Sequence, residues 1–494
     1  MAENCLWGNS RALRISLQTA FVRAHAFVST RIQPLCTMST SFTSINPATN
    51  TPIATYGAHT DAEVDARLQR AHEAASIQQS RPFEERAARL HALADALESR
   101  SDEWAALMTR EMGKPLSQAK GEAEKCAWVC RHYADHGADI LSHKTVETDA
   151  QRSYVRYEPL GTVLAIMPWN YPFWQCIRFG APALMAGNTM LLKHAPNTMG
   201  CAEAIEQLCV EAGFDSGEVQ TLRIDEDTVS SCIADRRVQA VTLTGSVGAG
   251  QAVAQQAAAH VKPTVLELGG SDPFIVLADA ELDAAVDTAV QARMQNNGQS
   301  CIAAKRFIVE APIADAFTER VAATVDALTV GDPTDPATDV GPMARADLRD
   351  TVRRQVDRAV NEGATIAAEA AVPADTDGFY MPPTVLTDVV PGSVAFTEEI
   401  FGPVASVVIA ADADDAVDLA NDTRFGLGGA VFTQDVARGE QIAQQLEVGC
   451  AFVNSMVKSD PRLPFGGIKD SGYGRELGAH GIREFVNVKT VCVA

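Results

Sequence analysis

Between residues 161 and 270 short apolar runs alternate with helix-length segments, and no other feature limits the possible folds of this chain as much. The runs fall near 161–167, 188–193, 218–224, 238–244 and 263–268. Strands separated by helices are too far apart in sequence for tight hairpins, so they read as a parallel α/β sheet covered on both faces. A second series, near 274–277, 305–309, 405–410, 428–432 and 450–453, predicts a second sheet of the same kind. Residues 61–140 have alanine-rich amphipathic periods and predict covering helices. The polar segment 146–156 alternates without a helical signature, which predicts a projecting hairpin or arm.

At 494 residues the chain has room for two or three domains. Apolar residues make up 46% and charged residues 21%, as in ordinary globular enzymes, and no run of apolar residues is long enough to span a bilayer. The net charge of -22 argues against nucleic acid and anionic membrane surfaces as partners, since both repel an acidic face. A small-molecule substrate remains. The 11 cysteines are an odd number without zinc spacing, which predicts a reducing, cytoplasmic setting and no metal. Cys126 and Cys130 fall four apart on one expected helix and read as core packing. Residues 1–38 carry Arg11, Arg14, Arg23 and Arg31, with Glu3 as their only acid. That composition suits a transit peptide, and equally a start codon placed ahead of Met38; this stretch is expected to be disordered or absent in the working protein.

Several short motifs carry chemistry. Cys301 closes the run Asn297-Gly298-Gln299-Ser300-Cys301, and Glu267 stands 34 residues earlier in Glu267-Leu268-Gly269-Gly270. A thiol adds readily to an aldehyde carbon, and a nearby carboxylate can activate water against the resulting thioester. Strand 241–244 runs into Gly245-Ser246-Val247-Gly248 and then a helix, a turn at which backbone N–H groups can approach a phosphate, although such turns often serve close packing alone. Lys193 ends another strand at the sheet edge where ligands of open α/β folds bind. His194 beside it, close to Pro196, reads as a surface histidine. Asn170, held in Pro168-Trp169-Asn170-Tyr171-Pro172, can donate its amide to a developing alkoxide.

Taken together, Pro168-Trp169-Asn170, Gly245-Ser246, Glu267-Leu268-Gly269-Gly270, Gly298-Gln299-Ser300-Cys301, Glu399-Ile400-Phe401-Gly402-Pro403 and Pro464-Phe465-Gly466-Gly467 resemble the aldehyde dehydrogenase superfamily from about residue 44 onward. Within it, Lys193-His194-Ala195-Pro196-Asn197 and Gly341-Pro342-Met343-Ala344-Arg345 look most like bacterial succinate-semialdehyde dehydrogenases. The resemblance implies an α/β fold with a Rossmann-like cofactor domain (39–140 and 161–266), a catalytic domain (267–453), a return to the cofactor domain with an active-site loop (454–480) and an oligomerisation arm (141–160 and 481–494), in a homodimer or homotetramer. It implies Cys301 as nucleophile, Asn170 as oxyanion donor and Glu267 as hydrolytic base. It also implies Lys193, Gly245, Ser246, Trp169, Gly269, Glu399 and Phe401 as the cofactor site. Pro196 stands where many NAD-selective relatives carry a glutamate, which leaves NAD and NADP both open.

By the same resemblance, the substrate is succinate semialdehyde, with glutarate semialdehyde or a plain aliphatic aldehyde as alternatives, and Arg178 with Ser459 would hold its far carboxylate. Gln295 stands where animal relatives have a second arginine, so Ser459, Lys458 or Arg462 is expected to supply the other anchor. Ala303 replaces a cysteine that some animal relatives pair with the nucleophile, which removes that local redox switch. A binding or structural protein that has kept the fold is the alternative of a different class; the presence of Cys301, Glu267, Asn170 and Lys193 counts against it.

Overall fold

The computed structural model describes residues 41–374 and 376–494, so the expectation for residues 1–38 lies outside the described residues. The first apolar series forms one sheet in the spatial order Val219–Thr221, Thr189–His194, Thr162–Met167, Val238–Thr244, Thr264–Glu267, all parallel. The short strand Gly472–Tyr473 adds antiparallel at the Thr264–Glu267 edge. The chain enters at Thr162–Met167, moves outward to one side, then crosses to Val238–Thr244 on the other. At such a reversal the loops leaving the two central strands diverge and open a crevice. Those loops begin at Pro168 and Gly245.

Side chains alternate across this sheet with the period of two that a pleated strand requires. Leu164, Leu191, Val241, Leu243 and Leu266 enter one core, whereas Val163, Ala165, Leu192 and Val265 enter another on the opposite face. Each fully buried leucine or valine contributes about 1.5–3 kcal/mol relative to exposure, so a slip of one residue is strongly disfavoured.

The second sheet has seven strands in the order Thr365–Glu369, Thr384–Thr387, Val404–Ala410, Ala304–Glu310, Asp272–Val276, Gly428–Phe432, Cys450–Val453. All pairings are parallel except the first. The two strands at its start were not expected from sequence. Thr365–Glu369 is mostly exposed and rich in alanine, which strands disfavour, and Thr384–Thr387 is only four residues long, behind Pro382 and Pro383. Its faces alternate likewise, with Ile275, Ile308 and Val408 on one side and Phe274, Phe307 and Val407 on the other.

Two further elements bear on the site. The helix Leu116–Ile140 buries Ala119, Ala123, Cys126 and Cys130 in the core it shares with the helix Trp174–Ala186. Both cysteines are free, and burial pushes the Cys130 thiol up to about 12. The strand Arg152–Pro159 pairs antiparallel with Val486–Val493, from Val486 opposite Pro159 to Val493 opposite Arg152, and Lys144–Thr145 adds at its other side. Among the described residues no helix is long and apolar enough to cross a membrane.

Candidate active site

Cys301 follows three consecutive residues in the left-handed region: Asn296 at φ 58°, Asn297 at 56° and Gly298 at 71°. Asparagine tolerates that conformation better than most residues, and a side chain on Gly298 would run into the backbone of Gly402 and Pro403. The strained turn is held by buried side-chain bonds. Asn296 donates to the carbonyls of Asn170 (2.9 Å) and Gln299 (3.0 Å), while Asn297 donates to those of Gly113 (2.8 Å) and Pro342 (2.9 Å). Arg293 donates to Gly298 (3.1 Å), Ile400 (2.9 Å) and also to Gly402. Lys305 donates to the carbonyls of Ser300 (2.9 Å) and Cys301 (2.7 Å) and pairs with Glu399 at 3.4 Å. The backbone of Cys301 is therefore fixed before any ligand arrives.

Two cavities meet at Cys301. One, of about 260 Å³, opens at the strand crossing and is lined by Trp169, Asn170, Gly245, Ser246, Glu267, Gly269, Glu399 and Phe401. Ser246 caps the helix Val247–Ala259 by accepting from the Ala249 N–H at 3.3 Å, so the positive end of that helix faces the crevice. Glu399 Oε1 accepts from the Gly270 N–H at 3.1 Å, and a Cβ on Gly269 would fall on the Glu399 carboxylate. The Trp169 and Phe401 rings meet edge to face at 5.8 Å. Backbone donors at a helix N-terminus, a carboxylate and two aromatic rings suit a dinucleotide. Lys193 sits at the carboxyl end of Thr189–His194, outside that lining, where burial lowers its pKa and the charges of Glu226 and Asp225 oppose the shift.

The other cavity, of about 280 Å³, is lined by residues of the helix Leu116–Ile140, of Trp174–Ala186, of the Cys301 turn and of the segment 456–465. It contains Arg178, Ser459 and Phe465. Arg178 is fully buried, pairs through Nε with Glu476 and lies 4.9 Å from the Phe465 ring centroid. Lys458 lines the same cavity but is exposed, and Arg462 pairs with Asp460 at 2.6 Å and lies over the Trp128 ring.

Burial dominates the titration of Cys301 and Glu267. It pushes the Cys301 thiol up to about 12, with Arg178 and Lys305 pulling the other way. It raises Glu267 well above the usual carboxylate range, an effect that Glu476 strengthens and Arg178 opposes. Neither Glu267 oxygen has a protein hydrogen-bond partner, and Asn170 keeps one amide N–H on the Gln299 carbonyl at 3.1 Å. A thiol, an unpartnered carboxyl and a primary amide thus share one desolvated spot, the arrangement that covalent addition followed by hydrolysis requires.

Some of this was invisible in the sequence. Lys125 and Glu122 on the helix Leu116–Ile140 line the cavity that contains Arg178, although that region reads only as covering helices. Glu122 accepts from the Phe173 and Trp174 N–H groups, both at 2.9 Å, and pairs with Lys114, so it anchors the start of the helix that carries Arg178. A Glu and a Lys on an otherwise Ala- and Cys-rich helix face were the available signal. Glu476, the partner of Arg178, gave none. His194 is buried rather than superficial: Nε2 bonds to the Pro172 carbonyl at 2.9 Å and Nδ1 accepts from the Ala195 N–H at 2.8 Å. Burial holds its pKa near 4, so it acts as a neutral brace between two loops.

Comparison with known proteins gives a consistent result. A model described as "Aldehyde dehydrogenase family" matches residues 36–491. A probable NADP(+) succinate-semialdehyde dehydrogenase of Synechocystis is 51% identical over 451 residues, covering 91% of this chain and 99% of its own. The NADP(+) succinate-semialdehyde dehydrogenase 1 of Mycobacterium bovis is 51% identical over 454 residues, with the same coverage. Among solved structures, succinic semialdehyde dehydrogenase from Streptococcus pyogenes in complex with NADP+ superimposes with a TM-score of 0.89 at 37% identity, covering 92% of this chain and 99% of that one.

Proposed function

This chain belongs to the aldehyde dehydrogenase family, and from that premise we propose that it oxidises succinate semialdehyde to succinate with NADP+. The observation that carries the proposal is the position of Cys301 at the junction of a backbone-lined crevice and a cavity containing buried cations. The relatives named for NADP+ support the cofactor, as does Pro196 in place of an acidic residue that would repel a 2'-phosphate.

Cys301 gives up its Sγ proton to solvent, the thiolate adds to the aldehyde carbon as the carbonyl π bond opens, and the Asn170 amide together with the Cys301 backbone N–H receives the oxyanion. Ser246, Glu399 and Phe401 would hold NADP+ in the crevice, where it would accept the hydride that leaves the former aldehyde carbon as the thioester forms. Glu267 then takes a proton from water, hydroxide adds to the Cys301 thioester, and the acid and thiol are released. The far carboxylate lies in the aldehyde-side cavity, where Ser459 and the buried cations Arg178 and Lys125 stand. The exposed edge strand Val486–Val493 supports assembly as a homodimer or homotetramer through that sheet.

The test is kcat/KM for succinate semialdehyde, glutarate semialdehyde, butanal and acetaldehyde with each of NAD+ and NADP+, alongside Cys301→Ser. Succinate semialdehyde with NADP+ is expected to lead, and the serine variant is expected to lose the burst of reduced cofactor. Equal rates on charged and uncharged aldehydes would remove the substrate assignment.

A further inference from the structure

We infer that Lys125 is the residue that selects for the far carboxylate, its ammonium forming the carboxylate subsite together with the Ser459 hydroxyl. The inference rests on the reading above and deepens it. Lys125 Nζ donates to Ser459 Oγ at 2.8 Å and sits 4.4 Å from the Trp174 ring centroid, in the wall of the aldehyde cavity. An ammonium has three N–H donors, and Ser459 accepts from only one. Because Ser459 Oγ acts as acceptor there, its own proton remains available, and no protein acceptor takes it among the described residues. Two donors therefore converge where a carboxylate has two oxygens to offer.

The charge balance points the same way. Of the other buried cations near Cys301, Lys114 has Glu122, Arg178 has Glu476 and Lys305 has Glu399, while Arg293 is satisfied by the carbonyls of Gly298, Ile400 and Gly402. Lys125 pairs with none among the described residues. The charged and titratable groups around it are Arg178 from the facing helix, Glu122 and Cys126 from its own, and Asp460 from the loop after Ser459; burial and Arg178 bring its pKa down to about 8. A cation kept there without a counter-ion is costly unless a ligand supplies the missing charge. Arg178, whose charge is already matched by Glu476, then acts mainly on the cavity's shape and on the reacting groups.

The experiment compares succinate semialdehyde with butanal, which has the same four carbons and no carboxylate, in wild type, Lys125→Met and Lys125→Arg. The methionine variant is expected to raise KM for succinate semialdehyde about 30- to 100-fold with kcat within about threefold, while kcat/KM for butanal changes by less than about threefold. The arginine variant is expected to recover most of the loss. In the wild type, KM for succinate semialdehyde rises about tenfold per pH unit above about 8 as Lys125 loses its proton, and KM for butanal does not. An equal loss on both aldehydes, or an unchanged KM for the charged one, overturns the role of Lys125. A wild type that shows no preference for succinate semialdehyde overturns the functional reading and this inference together. If the methionine variant does not fold, the arginine variant and the wild-type pH profile decide.

Discussion

The cofactor-side cavity is walled largely by turns that leave three strand ends, at Met167, Thr244 and Glu267, whereas the aldehyde-side cavity is walled by side chains from segments as far apart as Gln118 and Phe465. The first recognises its ligand through backbone direction, a helix terminus and the absence of side chains at glycines. The second does so through buried charges, each needing a partner. Shape is set by short-range sequence, and charge balance by long-range packing, so the two sides should fail differently when altered.

Glu267 belongs to the cofactor-side lining yet in the proposed mechanism serves the acyl group on Cys301, so it gives the largest expected effect. Glu267→Gln cannot take a proton from water, and turnover should fall about 10²- to 10⁴-fold. The burst of reduced cofactor should persist at one equivalent per active site, because the steps before hydrolysis do not need the carboxylate. Since burial raises the pKa of Glu267, wild-type hydrolysis gains rate as pH rises through that value, and the glutamine variant loses this dependence. The loss should be the same for succinate semialdehyde and butanal; a loss confined to one of them would move Glu267 to the substrate side and break the division.

The substrate side is tested by Arg178→Met. Removing one member of a buried ion pair leaves Glu476 desolvated and unpaired, at a cost of about 3–5 kcal/mol. Burial already raises Glu476, and loss of Arg178 raises it further above its unfolded value. A group shifted in that direction contributes stability below its unfolded pKa and loses it as pH rises through the folded one. The deficit of the variant, read from urea midpoints, should therefore be larger at pH 8 than at pH 5.5. A pH-independent deficit would mean that lost packing against Phe465 dominates.

The same division explains what could be read in advance. Most strands of both sheets were legible because Val163, Leu164 and Ala165, with their counterparts, form continuous apolar runs of strand length, which Thr365–Glu369 and Thr384–Thr387 do not. Gly245-Ser246, Glu267 and Cys301 were legible because each lies in a contiguous motif whose local geometry is its function. Lys125 was not, because its meaning depends on Ser459, 334 residues away. Arg178 could be singled out as a cation for a carboxylate, but the carboxylate that meets it in the structure is Glu476, 298 positions further along the chain. His194 was misjudged for the same reason: neighbouring residues suggested a loop surface, and Pro172, 22 residues away, makes it an interior brace.

Gly269→Ala sets the lower end of the scale and isolates the backbone-lined side. The added methyl would meet the end of the Glu399 side chain, which can swing aside, so no refolding of the turn is needed. Moving that carboxylate loosens its bonds to the Gly270 N–H and to Lys305, and KM for NADP+ should rise about tenfold, equivalent to about 1.4 kcal/mol. KM for succinate semialdehyde should hold within about twofold, since Lys305 keeps its bonds to the Ser300 and Cys301 carbonyls. A shift in the aldehyde KM as large as the cofactor effect would show that Glu399, acting through Lys305 and the Ser300 and Cys301 carbonyls it holds, couples the two cavities, and that backbone shape and charge balance are not separate at this site.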